Sequence, residues 1–304
     1  MEIRKIRKAV IPVAGFGTRF LPATKSMPKE MLPIIDRPII HYAVEEAVRS
    51  GITEIIFITG RGKRALEDYF DHSFELEHRL EKAGKKELLK QIKDISDMAE
   101  IVYIRQKEAL GLGHAVLRAK DLVGDEPFAV LLPDDLINGE KPCIKQLMEV
   151  YGKTGKSVLA AEETSPDKVS AYGIIDPATD EHTFKINGVI EKPSKEEAPS
   201  NLYIVGRYIF DPKIFEYLEE TKPGKGGEIQ VTDAIQKLAK NEGVMGYKFE
   251  GEHHDAGDKL GFLKATVSYG LKHKKLSGEF KNYLKEVILD KPALQAGMTE
   301  KENK

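Results

Sequence analysis

Residues 8–25 read Lys8-Ala9-Val10-Ile11-Pro12-Val13-Ala14-Gly15-Phe16-Gly17-Thr18-Arg19-Phe20-Leu21-Pro22-Ala23-Thr24-Lys25. The apolar run through Ala14 has the character of a buried strand. The two glycines after it let the backbone come close to a ligand and turn its N–H groups inward as an anion nest. Arg19 and Lys25 bring mobile positive charge to the same place. A GxG pair alone is more often a tight turn, so its neighbours decide the reading. The dinucleotide fingerprint needs a third glycine at position 20, which is phenylalanine, and no GK[ST] follows to make a Walker A loop. Gly155-Lys156-Ser157 imitates one, but Val150 stands where the first glycine belongs, and the piece lies between a helix and a strand in the wrong order.

Outward from this loop, strand-like and helix-like segments alternate. Ile39–Arg49 is helix-like and stops at Gly51, Glu54–Thr59 is β-branched, Lys63–Phe70 is helical, Ile101–Arg105 a strand, His114–Val123 a helix and Phe128–Leu132 a buried strand. Such alternation predicts an α/β fold, Rossmann-like and doubly wound, with a mostly parallel (mixed) sheet and helices on both faces. Ligands of such sheets sit at the carboxyl ends of strands, which marks the stretches after Ala14, Arg105 and Leu132. Glu75–Met98 is highly charged and reads as a surface helical excursion. Residues 157–210 hold several strand-like runs without full helices, expected as a mixed or antiparallel extension covering the sheet edge. Residues 224–230, rich in glycine, read as a flap. Phe280, Tyr283, Leu284, Val287 and Ile288 follow helical spacing and predict an amphipathic helix docked on another subunit.

The bulk numbers bound the function. With 304 residues, 41% hydrophobic, the chain can bury a large core, and a net charge of −2 excludes a nucleic-acid-binding surface. Cys143 is the only cysteine, so neither an intrachain disulfide nor a CxxC metal site is available. No run approaches eighteen apolar residues, so no membrane span is expected, and the start does not read as a signal peptide. A cytoplasmic protein is expected. The organisation expected is one domain over residues 1–290, in parts near 1–150, 151–260 and 261–290, the last of them helical, with a flexible tail over 291–304.

The stretch AGFGTRFLPATKSMPKEMLP, matching at Gly15, Gly17, Thr18, Arg19, Pro22, Lys25, Pro28 and Lys29, resembles the signature loop of the sugar-nucleotidyltransferase family. PATKSMPKEMLPI is similar in particular to the bacterial branch acting on UTP and glucose 1-phosphate. The likeness continues through RQKEALGLGHAV, GDEPFAVLLPDD, APSNLYIVGRYIF, GGEIQVTDAI and HDAGDKLGF, to about Tyr269. The insertion at 75–98 also favours this branch over thymidylyl relatives. The resemblance implies uridylyl transfer from UTP to glucose 1-phosphate with Mg2+, giving UDP-glucose and pyrophosphate, by a homodimer or homotetramer.

It also implies roles. Asp134, at the carboxyl end of a strand, is the expected metal ligand; by residue type alone Pro133-Asp134-Asp135 is equally a turn or helix cap. Asp135 is a less certain ligand, and Asp255 matches a second aspartate that many relatives use. Arg19 is expected on the leaving phosphates, with Lys25 and Lys192 as further catalytic cations. Ala14, Gly15, Gly17, Thr18, Lys29, Glu30, Gln106 and Gly111 are expected to bind the nucleotide. The Gln106 carboxamide would pair with uracil through one acceptor and one donor. Glu191, Gly173, Asn201, Val205 and Gly206 are expected around the sugar. His114, opening a helix, reads as a structural or capping residue.

Overall fold

The computed structural model describes residues 4–289. Thirteen strands occur in chain order: β1 (Lys8–Pro12), β2 (Pro33–Ile34), β3 (Arg37–Pro38), β4 (Glu54–Thr59), β5 (Glu100–Arg105), β6 (Phe128–Leu131), β7 (Asp135–Asn138), β8 (Ser157–Glu163), β9 (Gly173–Pro177), β10 (Thr183–Glu191), β11 (Leu202–Phe210), β12 (Val244–Lys248) and β13 (Glu252–Asp255). Nine build one sheet in the order β5-β4-β1-β6-β11-β8-β12-β10-β9, while β7 pairs with β13 and β2 with β3. The four strands β5-β4-β1-β6 run parallel, as the alternation of strands and helices requires. The sheet turns antiparallel at β6–β11 and β11–β8.

Alternate side chains of these strands point to opposite faces, and each face carries its own core. Val10, Ile56 and Ile58 pack with the helices Leu112–Leu117, Ile214–Glu219 and Val231–Asn241. Ile11, Ile55 and Phe57 pack with Ile39–Arg49, Arg64–Phe70 and Cys143–Thr154. A strand buried on both sides must be apolar at every position, which is why these read as continuous runs.

The structure bears out some of these expectations and corrects others. Of the strands in 157–210, β9 and β10 do close one edge of the sheet as antiparallel neighbours, but β8 and β11 lie inside it. β11, with all nine residues buried, lies in the middle, between β6 and β8. The helix expected over His114–Val123 divides into Leu112–Leu117 and Lys120–Val123. The charged excursion forms a helical pair, Phe74–Lys82 and Lys86–Ser96, turning at Gly84 (φ 66°), and neither helix buries a residue. The C-terminal helix Ser277–Leu289 packs on Lys259–Lys272 of its own chain, where Phe280 fills the space beside Gly270. Residues 291–304 lie outside the described part. Among the described residues no helix is long and apolar enough to cross a membrane.

Candidate active site

The loop after β1 is shaped by three short turns, Thr18–Phe20, Ala23–Lys25 and Lys29–Met31. Gly17 takes φ 65°, and a Cβ there would stand 2.9 Å from the Lys29 Cβ, so glycine is required twice over. The Thr24 hydroxyl donates to the Gly17 carbonyl at 2.8 Å and closes the loop. Lys63, unsuspected from the sequence, supports it from below. Its buried ammonium donates to the Gly15 carbonyl and to Glu30 Oε2, both at 2.7 Å. Burial pushes the Glu30 carboxyl up against the pull of Lys63, and pushes Lys63 down against the pull of Glu30. Glu30 Oε1 is buried without a hydrogen-bond partner among the described residues. The only sequence signal for Lys63 was its place in the glycine turn after β4.

A cleft of about 470 Å³ opens over this loop, at the carboxyl ends of β1 and β6. It is lined by Ala14, Gly15, Thr18, Arg19, Lys29, Glu30, Gln106, Gly111 and Asp134, so most of the expected nucleotide residues meet in one place. Phe16, Leu112 and Glu228 also line it; they fall within the quoted motif stretches, which gave them no role of their own. Gly17 lies behind the lining, and Lys25 is exposed at the end of its turn. The stretch expected as a flap is tied to the cleft at its far end, because the Ile229 N–H donates to Leu110 and the Ile229 carbonyl accepts from Gly113. That contact leaves no room for side chains at 111 and 113, where a Cβ would stand 2.8 Å from Glu228 Cβ and 2.7 Å from the Ile229 carbonyl oxygen.

Gln106 follows β5 and is 7% exposed. Its amide nitrogen lies 2.8 Å from His114 Nδ1 and 3.3 Å from the Gly111 carbonyl oxygen. The donor end of the carboxamide is therefore taken within the protein, and only its oxygen is left for a ligand. This revises the expected donor-and-acceptor pairing. Of the two readings of His114, structural or capping, the first holds: its ring engages Gln106 and caps no helix.

Asp134 and Asp135 separate in function. Asp135 Oδ1 lies 2.8 Å from His253 Nε2, and Oδ2 accepts the Gly206 N–H at 3.0 Å, so both oxygens serve the fold. Asp134 lines the cleft, and its Oδ2 accepts from Lys29 at 2.6 Å. Burial works to raise the Asp134 carboxyl, but Lys29 outweighs it and holds the pKa below the ordinary value. The β7–β13 ribbon sets Asp255 opposite Asp135, and Ala256 N–H donates to the Asp134 carbonyl at 2.8 Å. A Cβ on Gly257 would meet Asp255 Oδ1 at 2.8 Å, Asp134 Oδ2 at 3.1 Å and Arg19 Nη2 at 3.3 Å. Carboxylate oxygens of Asp134 and Asp255 and the Arg19 guanidinium thus all lie beside Gly257. Among the described residues no group of three or more His, Cys, Asp or Glu gathers to hold a metal. The donor set fits a hard divalent cation that takes its other ligands from phosphate and water.

The expected sugar residues fall on the next strands. Glu191 ends β10 opposite Gly173, and its Oε2 accepts from the Thr232 hydroxyl at 3.0 Å. A Cβ on Gly173 would stand 2.9 Å from Thr232 Cγ2. Lys192 adopts φ 47° and pairs with Glu191 at 3.1 Å. Asn201 is exposed just before β11. Val205 does not offer its side chain to this region: it is 1% exposed within the core. A Cβ on Gly206 would overlap Leu132 and the Asp135 carboxylate.

Beneath the Leu132–Asp135 turn lies Arg207, 1% exposed. Its guanidinium donates to the Leu132 carbonyl at 2.8 Å, to the Asp135 carbonyl at 2.6 Å and to Glu46 at 2.8 Å. Burial opposes its charge, yet Glu46 keeps its pKa above the ordinary value. An apolar strand conceals this arginine at the sequence level.

The nucleotidyl transferase family profile matches residues 8–270. A UTP–glucose-1-phosphate uridylyltransferase of Bacillus subtilis (strain 168) is 52% identical over 287 residues, covering 94% of this chain and 98% of the relative. A UTP–glucose-1-phosphate uridylyltransferase 2 of Staphylococcus saprophyticus is 51% identical, over 95% of this chain and all of its own. Among solved structures, a UDP-glucose pyrophosphorylase complexed with UDP-glucose superposes with a TM-score of 0.82 at 46% identity, covering 88% of this chain and 100% of its own. A UTP-bound homologue from Acinetobacter baumannii reaches 0.87 at 44% identity, over 93% of this chain and 99% of its own. With the profile spanning nearly the whole described chain around this cleft, the protein belongs to the nucleotidyl transferase family.

Proposed function

We propose that this protein transfers the uridylyl group of UTP to α-D-glucose 1-phosphate, giving UDP-glucose and pyrophosphate. The observation that carries the proposal is the meeting of the glycine loop, Gln106 and Asp134 in one cleft, with Arg19 and Asp255 beside the same carboxylate. Relatives at about half identity bear the name of this activity, and solved neighbours hold UTP or UDP-glucose.

The reaction asks the protein for positioning and charge neutralisation. An oxygen of the sugar phosphate attacks the α-phosphorus of UTP in line, the bond to the bridging oxygen breaks, and pyrophosphate leaves with that electron pair. Backbone N–H groups from Ala14 to Thr18 cradle the triphosphate. Arg19 lays its planar fork on the leaving phosphates, and Lys25 meets the charge that spreads over the transferring group. Glu30 and Gln106 contact the nucleoside, beside Gly111. Lys29, held now by Asp134, turns its ammonium toward the incoming phosphates. On the sugar side, Glu191 accepts from hydroxyls and Lys192 neutralises the phosphate. Gly173, Asn201 and the backbone at Val205 and Gly206 close the pocket. Asp134 and Asp255 would hold Mg2+, which would supply Lewis-acid charge neutralisation when bound.

The division into a nucleotide half near 1–150, a sugar half near 151–260 and a helical segment near 261–290 belongs to the same proposal, as does a cytoplasmic setting. Self-association through the last two helices is supported by Leu260, Leu263, Tyr283 and Ile288, exposed at 62%, 59%, 58% and 66%. Light scattering on the purified protein tests it, and a strict monomer refutes it.

The activity is tested by pyrophosphate release across UTP, dTTP, CTP and ATP against glucose, galactose and N-acetylglucosamine 1-phosphates. Release is expected strongest with UTP and glucose 1-phosphate, and abolished by EDTA. Another preferred pair would replace the substrates, and no release from folded protein would remove the catalytic reading.

A further inference from the structure

The orientation of the Gln106 carboxamide is dictated by its neighbours. Gly111 presents a carbonyl oxygen, which can only accept, 3.3 Å from one end of the amide. The nitrogen end must therefore face it, since the reverse orientation would set two acceptors against each other. With one amide hydrogen on Gly111, the second is directed to His114 Nδ1 at 2.8 Å. Nδ1 then has to accept, which requires a neutral ring carrying its proton on Nε2. Burial and the Arg118 charge both favour that state, against the weaker pull of Glu108. Among the described residues Gln106 Oε1 has no hydrogen-bond partner, and Gln106 lines the cleft.

We propose that His114 is a positioning residue for nucleotide choice: by accepting from the Gln106 amide it keeps Oε1 turned to the base. An acceptor there suits a pyrimidine with an N3–H, and opposes one whose N3 is a bare lone pair. Uracil and thymine are then taken and cytosine refused. The inference rests on Gln106 reading the base as proposed above.

The two nucleotide ratios separate this role from a structural one. In His114→Ala the amide keeps only the longer bond to the Gly111 carbonyl, so its reversal costs one hydrogen bond less and the kcat/KM ratio of UTP to CTP falls roughly tenfold, the worth of one neutral hydrogen bond. The ratio of UTP to dTTP stays unchanged, because both bases carry N3–H. His114→Asn restores the UTP to CTP ratio, since its side-chain oxygen can stand where Nδ1 stood. An unchanged UTP to CTP ratio in His114→Ala, or equal losses for all three nucleotides, would overturn the proposal. A nitrogen NMR measurement on the unaltered protein gives an independent check: His114 is expected as the Nε2–H tautomer, and an Nδ1–H tautomer would refute it. If Gln106→Ala still rejects CTP, the base-reader assignment itself falls, which is a distinguishable failure.

Discussion

Lys29 Nζ lies 2.6 Å from Asp134 Oδ2, joining two residues 105 positions apart across the mouth of the nucleotide cleft. The ammonium holds the carboxylate ionised in a place where burial alone would protonate it. A preformed anion is what a hard cation needs from a protein that supplies it with few ligands.

Asp134→Asn keeps the shape and removes the charge. Turnover is expected to drop by about 10³-fold or more, with the circular dichroism spectrum unchanged. Steady-state pyrophosphate release checks it, and near-normal turnover would remove Asp134 from the mechanism.

Lys25 is exposed, so its removal costs the fold little. Lys25→Ala should change stability by less than about 0.5 kcal/mol and lower kcat by roughly 10²-fold, with UTP affinity reduced much less. Titration calorimetry beside kinetics separates the two quantities. A loss confined to affinity would make Lys25 a binding residue only.

Glu46 is the partner of a fully buried guanidinium. Glu46→Ala leaves Arg207 charged and uncompensated, at an expected cost of about 3–5 kcal/mol in urea unfolding. Because Arg207 also holds the Leu132 and Asp135 carbonyls, activity should fall even where the variant remains folded. A variant as stable as the parent would show that the pair is not needed.

His253 lies between Asp135 and Glu162, 2.8 Å from each. Burial opposes its charge, but the hydrogen bonds and charges of the two carboxylates outweigh it and raise its pKa to about 9. In the unfolded chain the value is about 6.5, so between these limits the native state binds more protons and stability must fall as pH rises. The contribution is complete below about pH 6.5 and lost through pH 9, on the order of 3 kcal/mol. His253→Gln should flatten that slope. Equal slopes in both proteins would mean that the histidine is neutral in the native state.

Much of the architecture was legible because it is local. Apolar runs ending in glycine marked β1 and β4, the run before Pro133-Asp134-Asp135 marked β6, and the highly charged stretch 75–98 marked the helical excursion. The family signature placed the cleft residues. What failed was long-range. The strand runs of 157–210 were read as covering the sheet edge, which holds for β9 and β10, yet β11 sits at the sheet centre, where its nine buried residues have strands on both sides. Gln106 was assigned a donor it had already spent on His114 and Gly111, partners that a surface glutamine would not have had.

The sequence by itself determined the loop, the alternation of strands and helices, and the residue types that the chemistry uses, because these depend on backbone preferences and side-chain periodicity along a few neighbours. Only the tertiary structure decided that Lys29 meets Asp134, that Asp255 arrives beside it on a two-strand ribbon, and that Lys63 and Arg207 hold the two loops from beneath. These are pairings of buried charge, and their partners are chosen by the burial of the whole chain rather than by spacing within it.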